Sequence, residues 1–127
     1  MIDISDLIGI PFVDFGRDAR NGLDCYGLAI EVEKRLGKTL KDVIPEKLNR
    51  AKVEKLAPTL NLKKIELDEI KEGVLLEFYG MKDKRPHVAV ALDKNTFIHA
   101  TENQGVRISS FSSARQYIEL TNAYEVI

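Results

Sequence analysis

Residues 86–100, PHVAVALDKNTFIHA, constrain the fold more than any other stretch of the chain. Two apolar runs flank Asp93-Lys94-Asn95, which predicts an antiparallel hairpin. Strand alternation puts His87, Ala89 and Ala91 on one face and Val88, Val90 and Leu92 on the other. Loop length then decides where His99 falls. A two-residue loop at Lys94-Asn95 sets His99 opposite Val90, on the wrong face to meet His87. A three-residue loop over Asp93–Asn95 pairs Leu92 with Thr96 and Ala89 with His99, making His87 a same-face diagonal neighbour about 7–8 Å away. Asn95 suits the left-handed position such loops commonly use, which favours this register. Ala89 and Ala91 leave room on the histidine face, and a helix N-terminus fits that space.

Upstream, GLDCYGLAIEVEKRLG (residues 22–37) reads as that helix. Asp24 is the expected N-cap. Leu28, Ala29, Val32 and Leu36 follow Cys25 along one apolar stripe to a stop at Gly37, with Lys34 and Arg35 suiting the C-terminal end of the dipole. Ser5 is placed to cap a short helix carrying Leu7 and Ile8, before Pro11. FGRDARNG (15–22) has loop chemistry. Residues 40–55 are weakly helical, broken at Pro45 and again at Pro58. Strands are expected at Val74–Tyr79, Val88–Leu92, Thr96–Ala100, Val106–Ser110 and Ala123–Ile127, with a short helix over Ser112–Tyr117. Helices first and antiparallel strands after predict an α+β fold.

The chain has 127 residues, 44% of them hydrophobic, which suits one domain over 1–127 with one ordinary core. A net charge of −1 argues against a broad nucleic-acid footprint. The basic residues Lys82, Lys84 and Arg85, interrupted by Asp83, read as a solvated loop. Cys25 is the only cysteine, so no intrachain disulfide forms, and no Cys/His spacing for structural zinc is present. The start, MIDISDLIGIPFVDFG, lacks a basic n-region and a long apolar core, and no window reaches the roughly 18–20 apolar residues of a membrane span. The expectation is a chain that is cytoplasmic as synthesised and does not insert in membranes.

A lone cysteine on an apolar helix stripe is commonly a small core residue. Cys25 also meets the requirements of a nucleophile: a helix start and a neighbouring imidazolium both lower a thiol pKa from its free value of about 8.5. A base is held in its working orientation by a third polar group, and His87 with His99 supplies such a pair. Residue chemistry alone leaves both readings open.

The motifs GIPF (9–12), GLDCYGL (22–28), HVAVAL (87–92) and FIHA (97–100), with twelve residues from His87 to His99, resemble the NlpC-type cysteine peptidases of bacterial cell-wall turnover, a branch of the papain-like superfamily. GVRISS (105–110) is similar to the family's following strand, and the resemblance spans about residues 5–115. It implies an α+β, papain-like core with a nucleophile helix packed on a small curved antiparallel sheet. It also implies hydrolysis of peptidoglycan stem peptides, typically between D-glutamate and a diamino acid, with no metal or organic cofactor. Carried over, Cys25 matches the nucleophile, His87 the general base and His99 the orienting residue. Asp24, Tyr26 and Phe12 are candidate substrate contacts, although Asp24 reads first as an ordinary N-cap. Tyr26 stands where many members have Ser, Phe12 where the family often has Tyr, and Gly73-Val74-Leu75 replaces the usual Gly-Asp-Leu. Tyr26 and the preceding GRD look more like members encoded in phage tails and prophages, which implies tail proteins as partners and a virion location. The alternatives are an idle tail or peptide-binding domain on the same fold, and a hydrolase of another amide or ester.

Overall fold

The structure, a computed structural model, describes residues 2–43, 53–81 and 86–127. Lys82, Lys84 and Arg85, and the weakly helical reading over 44–52, lie outside the described residues.

Helix α1 (Cys25–Arg35) starts where its cap does: Asp24 is extended, and its Oδ1 accepts the Gly27 N–H at 2.6 Å. Past Leu36, Gly37 turns to φ +81° and the Lys38 N–H returns to the Glu33 carbonyl at 2.9 Å, a glycine-terminated stop. The first segment differs from expectation. Ser5–Leu7 is a single 3-10 turn, and Ser5 turns its side chain back to Asp3 instead of capping the turn.

A two-stranded ribbon, β1 (Arg17–Asp18) with β2 (Gly22–Leu23), leads into α1. After the short α2 (Val53–Leu56) come β3 (Leu62–Ile65), β4 (Leu75–Gly80), β5 (Pro86–Ala91), β6 (Thr96–Thr101), β7 (Gly105–Ser110), α3 (Phe111–Ala114) and β8 (Ile118–Val126). The last six strands form one antiparallel sheet in the order β3-β8-β4-β5-β6-β7. Strand β8 begins five residues earlier than the expected final strand because it spans both β3 and β4. A bulge between Glu77 and Phe78 bends β4 against β8, where Thr121 is the extra residue and returns its hydroxyl to the Glu77 carbonyl.

The hairpin has the three-residue register: Val90 faces Ile98, Ala91 faces Phe97, and the Leu92 N–H donates to the Thr96 carbonyl at 2.9 Å. The turn is made differently from expectation. Asn95 does not take a positive φ; instead the Asp93 carboxylate accepts from the N–H groups of Asn95 (2.7 Å) and Thr96 (2.8 Å).

Helix α1 lies on the opposite face from the one expected. Leu28, Ala29 and Val32 pack with Val88, Val90, Leu92, Ile98 and Tyr124. Each fully buried Leu or Val contributes roughly 1.5–3 kcal/mol. The space beside Ala89 and Ala91 is filled instead by Phe78, Phe97 and Phe111, whose rings pack at centroid distances of 4.8–6.3 Å. Small strand residues made room for phenyl rings, not for a helix.

Besides the capping Asp24, two carboxyls are buried among the described residues. Glu77 is 1% exposed and fully engaged, accepting from the Val53 N–H (2.7 Å), the Asn122 amide (3.0 Å) and the Tyr124 hydroxyl (3.1 Å). Glu33, on the buried side of α1, is 0% exposed and neither oxygen has a hydrogen-bond partner. Burial pushes it up to about 7, against a weaker pull from the Lys38 charge.

Candidate active site

The site begins with a gap in the sheet. On β5, the N–H groups of Ala91 and Leu92 point to opposite neighbours, toward Val74 on the β4 side and Thr96 on β6. By alternation the Val88 N–H also points toward β6. The β5–β6 ladder, however, runs only through Val90–Ile98 and Ala91–Phe97. Below it the strands part, and the Val88 N–H is directed at the sulfur of Cys25.

Cys25 opens α1 and is half-buried. Burial pushes its thiol up to about 11, with the Asp24 carboxylate adding to the rise. The backbone N–H groups of Val88 and Tyr26 and the Arg17 charge favour the thiolate, but burial outweighs them. Burial thus opposes the lowering expected from a helix start. Ionisation at neutral pH requires a group that takes the proton.

His87 precedes Val88 on β5 and is half-buried, opposite Phe78 of β4. His99 on β6 is 6% exposed, and its ring meets Phe97 edge-on at 4.9 Å. Its Nε2 lies 2.8 Å from the Ser109 hydroxyl of β7. Burial holds His99 down to about 4, and the charges of Arg107 and His87 push the same way. His99 is therefore neutral at neutral pH, and it lies within electrostatic reach of His87.

The helix start carries a second cluster, which sequence reading missed. Arg17 donates from one terminal nitrogen to Asp24 Oδ1 (2.6 Å) and to the Gly16 carbonyl (3.0 Å), and from Nε to Asp42 (3.0 Å). Its guanidinium sits 5.8 Å over the Tyr26 ring. Asp24 Oδ1 is thus committed twice, to Gly27 and to Arg17. Tyr26 is 2% exposed and gives its hydroxyl to the Lys41 carbonyl at 2.5 Å, so most of its ring is packed in the core. Phe12 bridges to Leu23 and packs half-buried against the core. The loop before β1 is clamped onto the helix: the Asp24 N–H donates to the Gly16 carbonyl, and a Cβ on Gly27 would collide with that same carbonyl. Only the glycine on both sides of Cys25-Tyr26, at 22 and 27, hinted at this close approach.

The NlpC/P60 family profile matches residues 9–124. Among solved structures, the chain is similar to the NlpC/p60 domain of the peptidoglycan hydrolase SagA, at 27% identity and a TM-score of 0.61, covering 92% of this chain and 87% of that one. A Staphylococcus aureus protein described as similar to lipoprotein, of the NLP/P60 family, matches at 24% identity and a TM-score of 0.66, covering 96% of this chain and 38% of its own. NlpC2 from Trichomonas vaginalis matches at 20% identity and a TM-score of 0.67, covering 94% and 43%. These last two show the likeness of fold, and this chain spans less than half of either. A comparison with curated proteins gives no significant match.

Proposed function

This chain belongs to the NlpC/P60 family, and on that footing we propose that it is a cysteine peptidase of peptidoglycan stem peptides, cutting between D-glutamate and a diamino acid through Cys25, His87 and His99. The observation that carries the reading is the parting of β5 and β6 at Cys25, with His87 beside Val88 on one strand and His99 on the other. The similarity to a peptidoglycan hydrolase domain supports the substrate class.

In this mechanism His87 takes the thiol proton, and the thiolate attacks the scissile carbonyl carbon. The oxyanion is held by the Cys25 N–H at the helix start, where the Gly27 N–H is already taken by the Asp24 side chain and the Leu28 N–H by the Asp24 carbonyl. His87 then gives its proton to the departing amine, leaving a thioester. A water that yields its proton to His87 hydrolyses this thioester and restores the thiol. His99 stays neutral and orients His87. Delivery by a phage tail, or action on recycled muropeptides, belongs to the same proposal.

One observation favours the idle, peptide-binding alternative: a thiol pushed up to about 11. Iodoacetamide alkylation of the single cysteine, followed against pH, decides between them. In the peptidase, alkylation is fast near neutral pH and becomes slow there in His87→Ala, rising only as pH approaches the value burial imposes. Alkylation indifferent to His87, together with intact stem peptides, would refute the enzyme.

A further inference from the structure

The histidine pair continues into a strand that the catalytic reading does not use. In the β6–β7 register His99 faces Arg107 directly, and Ser109 follows two residues on along the same face. Ser109 Oγ is 2.8 Å from His99 Nε2, a normal hydrogen-bond length. The Arg107 guanidinium donates to Gln104, and its Nε is buried without a partner.

A neutral imidazole has one N–H and one lone pair, and whichever nitrogen is engaged fixes the role of the other. His99 has its Nε2 engaged by a hydroxyl, which can donate or accept. On the Cys-His-His reading the other nitrogen, Nδ1, faces His87, and that neighbour decides. During catalysis His87 becomes an imidazolium, and only a lone pair on His99 can receive its N–H. The hydrogen of His99 must then sit on Nε2.

We propose that Ser109 is a positioning residue of the catalytic relay: its hydroxyl accepts the Nε2–H of His99 and so keeps the Nδ1 lone pair for His87. The inference rests on the Cys-His-His reading above and extends it by one member, Ser109–His99–His87–Cys25. Arg107 supports the arrangement electrostatically, since a cation opposite His99 keeps that ring from taking a second proton. A doubly protonated His99 has no lone pair to offer.

The test uses nitrogen NMR and kinetics on the whole chain. Only two histidines are present, so the imidazole nitrogens of His87 and His99 are readily assigned in labelled protein. Expected for the wild type is a His99 ring protonated on Nε2. In Ser109→Ala that pattern gives way to a mixture or to the Nδ1–H form. In the same variant kcat falls by about 10- to 100-fold, short of the ~10⁴-fold known for a wrong tautomer in a Ser-His-Asp triad, while KM stays within about twofold. Ser109→Thr keeps the hydroxyl on a residue well suited to a strand and restores both readouts. An unchanged His99 nitrogen pattern, a wild-type kcat in Ser109→Ala, or a failure of Ser109→Thr to rescue would each overturn the proposal. A wild-type protein that cleaves no stem peptide refutes the peptidase reading instead. The nitrogen pattern and the Cys25 alkylation rate, which needs no substrate, then still decide the role of Ser109.

Discussion

Glu33→Gln should make the protein more stable above neutral pH and much less sensitive to pH. Glu33 is 0% exposed and neither carboxylate oxygen has a partner. Burial raises it from its ordinary 4.5 to about 7. The sign follows from proton counting. Between these values the native state holds a proton that the unfolded state has released, so stability falls as pH rises. The contribution is fully present below 4.5 and is lost as pH passes through about 7. At about 1.4 kcal/mol per pH unit, the whole separation is worth roughly 3 kcal/mol. Between pH 5 and pH 8.5, about 2–3 kcal/mol of it should be traversed. Urea unfolding of both proteins across that range reads it directly. With m near 1–3 kcal/mol/M, the gap between their midpoints should widen by about 1–2 M toward alkaline pH. A buried glutamine has its own cost, but that cost does not change with pH, so the slope is the quantity to compare. A wild-type-minus-variant difference flat within about 0.5 kcal/mol from pH 5 to 8.5 would refute the reasoning.

Three further substitutions test the helix start. Asp24→Ala removes an N-cap worth about 1 kcal/mol and the carboxylate partner of Arg17, a charged hydrogen bond worth about 1.5–3 kcal/mol, so urea unfolding should show a loss of about 2–4 kcal/mol. Asp24→Asn keeps the cap and should lose less. Gly27→Ala ought to gain about 1 kcal/mol on helix propensity alone, yet its Cβ would meet the Gly16 carbonyl. Thermal melts should therefore show a net loss of about 1–3 kcal/mol, and stem-peptide turnover should drop as the clamped loop shifts beside Cys25.

What the sequence made legible is local or periodic. The Asp24 cap, the α1 stripe and the Gly37 stop are nearest-neighbour chemistry, and they stand in the structure as read. The hairpin register followed from loop length and brought His87 and His99 to one face. Period-two alternation says which residues share a face, but not what covers it. Ala89 and Ala91 were therefore given a helix when the structure gives them Phe78, Phe97 and Phe111. The turn at Asp93–Asn95 was right in length and wrong in mechanism, because a carboxylate supplied what a left-handed asparagine was expected to supply. Arg17 with Asp24, Glu77 with Val53 and Tyr124, and His99 with Ser109 join residues 7–47 positions apart. Such pairs leave no trace in spacing. Strand β3 was missed because Leu62–Ile65 carries two lysines and pairs only at the sheet edge, with β8.

The point where β5 and β6 separate has a practical consequence for any inert version of this protein. The Val88 N–H is directed at the sulfur of Cys25, below the last β5–β6 pair. Cys25→Ala deletes the proposed nucleophile and also takes away the sulfur that the Val88 N–H faces, so its behaviour mixes lost chemistry with a disturbed backbone. Cys25→Ser leaves an oxygen acceptor in nearly the same position. A substrate trap or a binding control should be built on serine, because an alanine protein that fails to hold a peptide would not reveal which of the two losses was responsible.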